Sequence, residues 1–384
     1  MKYCIPMELK SIWKKTQQEY QEKGVFFLQR EYLFKMNEKT NAFLNTFEEI
    51  AAGASDIAKD ENAAQYALFL YDAMQDRKLF LSCLPFIEIP EQEFPLLALL
   101  SMLPYIECMY DHIVKKEVPM DVVSATIGHF ERILFDHAER YGCLGMGKRQ
   151  FNFMQRYLDF KILDIGRLFF EIRQSTDACM IENKTTGEQI LFPVSGEMNK
   201  NGLYMDTPPL DPQDKGFSAF FQETENSYIG TPVGNDGRCQ RNVVAFHKSE
   251  YFLRVPFNSP CISVHIPAQG ALTKEACEES YARAKTIFSK FYPELAIKAF
   301  RCHSWMMAPE LKEILRPGSH ILDFQAPYLK CPSRSKGRDV LYFVFKTETS
   351  EYRDLPEDTS LQRALKQRYL SGEYLYEYIG IFAI

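Results

Sequence analysis

Near residue 161 the chain changes its period. Upstream, segments such as QREYLFKMNEKTNAFLNTFEEIA and DVVSATIGHFERILFDHAERYG repeat apolar residues at three- and four-residue spacing, broken at Gly24, Gly53, Pro85, Pro119 and Gly142. That is the pattern of packed amphipathic helices, and it predicts about five to seven of them. Downstream, short runs such as RLFFEIR, QILFPV and ISVHIP alternate with polar loops rich in Pro and Gly, the texture of strands. At 384 residues the chain also exceeds what one hydrophobic core usually supports. Two domains are expected, a helical one over 1–162 and a mixed sheet domain over 163–384, which makes the fold class α+β.

Composition removes several function classes. Forty-five basic residues against 51 acidic ones, a formal charge of -6, leave no electrostatic footprint for nucleic acid or anionic lipid. The 10 cysteines stand singly without a CxxC pair, which fits reduced thiols in the cytoplasm and predicts neither a disulfide nor a zinc site. The start MKYCIPMELK lacks the apolar core of a signal peptide. The longest apolar run, FPLLALLSMLPYI over 94–106, is shorter than a bilayer span and holds Pro95 and Pro104, so it reads as a buried bent helix. A soluble protein is expected. The segment DTPPLDPQDKG over 206–216 reads as an exposed loop.

The most ordered stretch begins at Cys261. ISVHIP reads as a buried strand, AQGAL as a tight loop and TKEACEESYARAKTIFSKFYPE as a helix; IKAFRCHSWMM is a strand, APELKEIL a short helix, and ILDFQAPYL and VLYFVFK two further strands. Thr273 is placed to cap the first helix, whose face is formed by Ala276, Cys277, Ser280, Tyr281, Ala284, Ile287, Phe288 and Phe291. Two strand-helix units in succession imply neighbouring parallel strands.

Each chemical motif has a plain reading beside it. GCLGMGK over 142–148 has the glycine and lysine spacing of a phosphate-binding P-loop, but a helix precedes it and Arg149 replaces the hydroxyl residue that magnesium needs, so an interhelical turn is favoured. The loop 268–273 ends at a helix N-terminus where free N–H groups and Gly270 suit an anion, although such turns also abound as ordinary connections. His265, in the middle of ISVHIP, is a candidate general base or a hydrogen-bonded core histidine. Cys302, His303, Ser304 and Trp305 end the next parallel strand, the edge at which open α/β sheets bind ligands, and are expected to face the same crevice as His265. Cys302 paired with His265 would make a thiol hydrolase or transferase; an ordinary buried cysteine is the competing reading. Asp111, His112, His129, Asp136 and His137 lie on different helices without metal-ligand spacing, so no bundle metal site is expected.

The stretches IGRLFFE, YIGTPVGNDG, SEYFLRV, SVHIPAQGAL, ESYARAKTIFSKFYPE, FRCHSWMMAPEL and LRPGSHILDFQAPYL carry a resemblance. The chain resembles bacterial acyltransferase-domain proteins that join a helical N-acyltransferase N-terminal domain to a GNAT-like C-terminal domain. The resemblance implies a GNAT-like sheet with acetyl-CoA or another acyl-CoA in a V-shaped split between the strands ISVHIP and KAFRCHSW, transferring its acyl group to an amine of a small molecule or peptide without a metal. Position carries the phosphate loop over to Ile266, Pro267, Ala268, Gln269, Gly270, Ala271 and Thr273; the usual Q/R-x-x-G-x-G/A pattern is absent. His265 is then the base, Tyr328 or Ser304 the acid toward the departing thiolate, and Cys302, His303 and Trp305 the substrate-binding residues. The helix APELKEIL lacks the tyrosine that GNAT enzymes often carry there. A non-catalytic acyl-CoA-binding protein and a Cys302-dependent hydrolase are the alternatives.

Overall fold

The computed structural model describes residues 3–268, 270–347 and 349–384. The chain divides into two compact units, Met1–Ile165 and Gly166–Ile384.

The first unit contains α1 (Lys10–Lys23), α2 (Arg30–Thr40), α3 (Phe47–Lys59), α4 (Glu61–Gln75), α5 (Arg77–Cys83), α6 (Leu97–Lys115), α7 (Met120–Ile127), α8 (His129–Tyr141), α9 (Lys148–Leu158) and the strand β1 (Ile162–Ile165). Capping sets several boundaries: Asp60 accepts from the Ala63 N–H at 2.9 Å and Asp76 from that of Leu79 at 3.0 Å. The apolar run became α6, fully buried from Leu97 to Leu103 with Pro104 inside it, as a helix apolar on every side must be. Gly53 corrects one expected break. It lies within α3, where a Cβ would come 2.5 Å from the Leu96 side chain, so this glycine allows a close approach rather than a turn.

GCLGMGK forms the connection between α8 and α9. Gly142 closes α8 at φ +78°, and the Lys148 ammonium donates to the carbonyls of Leu84, at 2.6 Å, and Ile87. His129, His137 and Asp164 are used within this unit. Buried Asp164 accepts from Arg132 and from the Tyr157 hydroxyl at 2.7 Å, with His129 Nδ1 at 3.2 Å. A buried carboxylate requires such a set of partners. His137 Nδ1 donates to the Cys143 carbonyl at 2.8 Å.

The second unit runs β2 (Leu168–Gln174), β3 (Ala178–Asn183), β4 (Gln189–Pro193), β5 (Gly196–Met198), β6 (Phe217–Ala219), β7 (Phe221–Glu223), β8 (Ser227–Gly230), β9 (Val244–His247), β10 (Tyr251–Val255), β11 (Pro260–His265), α10 (Lys274–Phe291), β12 (Ala299–Ser304), α11 (Leu311–Ile314), α12 (His320–Gln325), β13 (Leu329–Pro332), α13 (Asp339–Val344), α14 (Ser360–Leu370) and β14 (Tyr378–Ala383). Its central sheet has the order β2-β11-β12-β14-β13, and a smaller sheet the order β10-β3-β4. Only β11 and β12 are parallel; the other neighbours in the central sheet pair antiparallel. Ala178, Met180, Leu191 and Val255 of the smaller sheet form one core with Ala299, Cys331, Ile379 and Ile381 of the larger.

The β11-α10-β12 unit follows the sequence reading, including the Thr273 cap, whose Oγ1 accepts from the Ala276 N–H at 3.3 Å. Two expected strands are corrected. VLYFVFK contributes α13, because Val340, Leu341, Val344 and Phe345 recur at helical spacing, and Phe343 on the other side is 49% exposed. Most of ILDFQAPYL is α12, held by Gln325 Nε2 donating to the carbonyls of Met306 at 2.5 Å and Ala308 at 3.1 Å; only Leu329–Pro332 is strand. The place beside β12 is taken by YIGIFA at the chain's end, which pairs with AFRCHS from Ala299↔Ala383 to Ser304↔Tyr378. Gly380 hid that strand. It lowers strand propensity, yet a Cβ there would lie 2.6 Å from the Met307 sulfur and 2.8 Å from the Tyr328 ring.

Candidate active site

The parallel pair at the centre of the sheet does not stay paired. β11 and β12 match Cys261↔Ala299, Ile262↔Phe300 and Ser263↔Arg301, and there their pairing stops. β11 continues along β2 as far as His265↔Phe169, and β12 continues along β14 as far as Ser304↔Tyr378. Each strand therefore keeps its outer neighbour and gives up its inner one. The result is a split at the C-terminal ends of both strands, flanked by residues 264–265 and 302–304, whose inner backbone edges no longer bond each other.

Opposed residues of paired strands share a sheet face and successive residues alternate. Register thus sorts the site. Phe169, Glu171, Arg173, Ser263, His265, Arg301 and His303 lie on one face; Phe170, Val264, Phe300, Cys302, Ser304 and Phe382 lie on the other. The second face is covered by α10, whose Tyr281 ring packs at 5.0 Å from Phe300, 5.2 Å from Phe382 and 6.0 Å from Phe170. The expectation that Cys302, His303 and Ser304 share one crevice with His265 is corrected by this parity: only His303 lies on the His265 face.

On the polar face His265 Nε2 stands 2.9 Å from Glu171 Oε2, with side-chain exposures of 22% and 6%. A buried carboxylate bonded to an imidazole fixes the ring's orientation and stabilises the protonated ring. Beside them Arg301 is clamped to Asp177, Nε to Oδ2 at 2.7 Å, and its Nη1 lies 3.5 Å from the Ser263 hydroxyl. His303 is exposed, with Nε2 3.2 Å from the Ser333 Oγ.

On the α10 face Cys302 is 1% exposed, and burial pushes its thiol up to about 12. A thiol held so far from ionisation is no nucleophile at neutral pH. Tyr328 is buried with its hydroxyl 2.9 Å from that of Tyr281, and burial, then the neighbouring Tyr281, raise it well above the ordinary tyrosine range. Ser304 Oγ accepts from the Met306 N–H at 3.1 Å, capping a short turn that contains buried Trp305.

The loop after β11 is pinned by a residue the sequence reading did not single out. Arg167 donates from Nη2 to the carbonyls of Pro267 at 3.0 Å and Gly270 at 2.9 Å, and from Nε to that of Ala271 at 3.0 Å. A peptide's carbonyl and the following N–H point opposite ways, so this clamp turns the N–H groups of Ala268, Ala271 and Leu272 away from Arg167. Gly270 adopts φ +83°, a left-handed conformation that favours glycine. With Ile266 and Pro267 leading in and Thr273 capping α10, the loop offers amides and a helix N-terminus to an anion. Gln269 lies outside the described residues. Glu171 and Arg167 were both present in IGRLFFE, Glu171 as an acid between the apolar Phe170 and Ile172 of one strand.

No helix among the described residues is long and apolar enough to cross a membrane, and none of their His, Cys, Asp and Glu side chains group by three or more as a metal site would.

Residues 162–382, more than half of the chain, match the model of the GNAT-like C-terminal domain family. No curated protein matches the sequence. Among solved structures the chain is similar, over 98% of its length and all of the other's, to an acyltransferase mutant in complex with octanoyl-CoA, at 16% identity and a TM-score of 0.63. It is similar over 98% of its length to an acyltransferase in complex with decanoyl-CoA and teicoplanin, at 16% identity, TM-score 0.61 and 99% of that chain. A third, in complex with CoA and 10C-teicoplanin, has 17% identity, a TM-score of 0.62 and again 98% and 99% coverage. At these identities the likeness establishes a common fold.

Proposed function

This chain belongs to the GNAT-like C-terminal domain family, and from that premise we propose that it transfers an acyl group from acyl-CoA to an amine of a small molecule or peptide. The observation that carries the reading is the parting of β11 and β12 beyond Ser263 and Arg301. A pantetheine arm has amide groups of its own, and unpaired strand edges bind such a chain as they bind an added strand. The loop 266–273 stands where β11 ends, so its outward amides are placed for the CoA phosphates.

The chemistry needs few groups. The amine lone pair attacks the thioester carbonyl carbon, the carbonyl oxygen gains charge that backbone N–H groups at the split stabilise, and the C–S bond then breaks to leave the amide and CoA thiolate. His265, oriented by Glu171, takes the proton that the nitrogen loses, directly or through a water. The thiolate regains a proton from solvent or from the Ser304 hydroxyl at the end of β12; the Tyr328 hydroxyl, bonded to Tyr281 under α10, is not required. The neighbouring structures hold octanoyl- and decanoyl-CoA, and two hold forms of teicoplanin. We therefore extend the donor range from acetyl to medium-chain acyl groups and the acceptor range to peptide-like amines. The reaction suits a reducing compartment such as the cytoplasm, a setting that 10 free cysteines support.

The test incubates acetyl-, octanoyl- and decanoyl-CoA with a panel of primary amines and follows amide and CoA by chromatography. Amide and CoA formed in equal amounts support the proposal. Acyl-CoA binding without amide on any amine makes the chain a binding protein; amine-independent hydrolysis abolished by Cys302→Ala makes it a hydrolase.

A further inference from the structure

On the polar face the split has a lip on either side, and each lip carries an imidazole. Beyond the last rung, Ser263↔Arg301, His265 stands two residues further along β11 and His303 two residues further along β12. Alternation returns both side chains to the face of that rung. At the base of the split Arg301 is only 7% exposed and is clamped to Asp177. The two imidazoles therefore stand level with each other where the strands have parted.

The contacts of His303 fix the position of its hydrogen. The Ser333 hydroxyl donates to the Glu377 carbonyl at 2.6 Å, which uses its one hydrogen. Ser333 Oγ can then only accept from His303 Nε2, 3.2 Å away, so Nε2 carries the N–H of the neutral ring and Nδ1 the lone pair. Partial burial, then the Arg301 guanidinium, hold His303 below the ordinary histidine range, so this is its form at neutral pH. Nδ1 has no partner among the described residues. An acceptor held in one orientation at the lip suits a substrate N–H.

An attacking amine has N–H groups to place. With its lone pair on the thioester carbon, a neutral primary amine keeps two N–H bonds directed away from that carbon. His265 takes the proton of one as the C–N bond forms and the C–S bond breaks; the other survives in the amide. We propose that His303 Nδ1 accepts this surviving N–H, which aims the lone pair at the thioester and restricts the acceptor to primary amines. The inference rests on the acyl-transfer reading and adds the class of the acceptor. A secondary amine has one N–H, which His265 must take, and its second substituent would meet the His303 lone pair. A site built to hydrogen-bond a substrate N–H rejects an analogue that lacks it.

Benzylamine and N-methylbenzylamine test it with octanoyl-CoA as donor, in the parent, His303→Phe and His303→Asn chains. His303 is exposed, so both replacements should leave the fold and the octanoyl-CoA affinity as they are. The parent should favour benzylamine in kcat/KM by about thirty-fold, the cost of one lost hydrogen bond and an unmatched acceptor. His303→Phe offers no acceptor and should bring the ratio within about three-fold, whereas the carboxamide oxygen of His303→Asn, close to the place of Nδ1, should hold it above about ten-fold. Long-range proton–nitrogen spectra of the parent with CoA bound give a readout independent of turnover. His303 should carry its hydrogen on Nε2, and benzylamine should shift its Nδ1 signal. A hydrogen on Nδ1, an Nδ1 signal that benzylamine leaves in place, or an unchanged ratio in His303→Phe overturns the assignment. Octanoyl-CoA affinity lost in both variants also overturns it, giving His303 to the pantetheine amides. Absence of amide from either amine in the parent strikes the acyl-transfer reading instead, while the spectra still decide His303.

Discussion

The two faces of the central sheet use the same strands to opposite ends. Under α10, Phe170, Phe300, Phe382, Tyr281 and Tyr328 form an aromatic layer in which even Cys302 and a pair of tyrosine hydroxyls are sealed from solvent. Across the sheet, Glu171, Ser263, His265, Arg301 and His303 stand within the reach of strands that have parted. Neighbouring residues in one strand are thereby assigned different work. Cys302 and His303 are adjacent, yet the thiol is packing and the imidazole lies with the polar set. Burial on the first face holds the Cys302 thiol and the Tyr281 and Tyr328 phenols in their neutral forms, which suits a rigid base for the sheet and not a nucleophile.

That contrast can be broken from either side. Phe170→Ala empties a fully buried aromatic position and should cost the second unit about 3–5 kcal/mol, read as a fall in its denaturation midpoint. An unchanged midpoint would mean the aromatic layer is not the sheet's support. Gly270→Val places a β-branched side chain at φ +83° and removes the loop conformation that Arg167 clamps. Octanoyl-CoA should then bind about thirty-fold more weakly, the loss of one or two charge-assisted backbone contacts, with little change in melting temperature. Glu171→Gln keeps a hydrogen-bond partner for His265 but not its charge, so turnover should fall about ten-fold while the octanoyl-CoA affinity stays the same. The smallest effect belongs to Cys302→Ala, which should leave turnover within about two-fold. With its thiol pushed up to about 12, Cys302 should also escape iodoacetamide at pH 8, where the exposed Cys4, Cys108 and Cys143 react. Inactivation by alkylation at Cys302 would contradict the division of the faces.

How far the sequence could be read follows from the range of each interaction. The helical character of the first unit, and β11, α10 and β12, are set by periodicity, caps and breakers that act within a few residues, so they were legible, although nine α-helices stand among the described residues of that unit where five to seven were expected. The order of the remaining strands was not. In VLYFVFK the helical spacing of Val340, Leu341, Val344 and Phe345 is hidden by Tyr342 and Phe343 between them, and the strand that lies beside β12 arrives from the far end of the chain with a glycine in its middle. The site divides in the same way. His265 and the loop at Gly270 stand out locally as a polar group in an apolar strand and a glycine before a capped helix. Glu171 meets His265 across 94 residues of sequence, and Arg167 reaches its loop carbonyls across 100 to 104, so only the register of β2 against β11 brings either into the account. Register likewise separates Ser304 and Cys302 from His303, which proximity in the sequence had joined.

The central claim is that acyl transfer is run by the polar face, with His265 as its base. The direct measurement is the rate of octanoyl-CoA-dependent amide formation in His265→Gln beside Tyr328→Phe, with the octanoyl-CoA affinity of each chain determined by titration. Glutamine keeps hydrogen-bonding capacity and loses basicity, so the first should be slower than the parent by about a hundred-fold at unchanged affinity, the usual range for a general base. The second removes only a hydroxyl bonded to Tyr281, and its rate should stay within about three-fold. A His265→Gln chain as fast as the parent, or a Tyr328→Phe chain slowed as much as His265→Gln, would contradict the account.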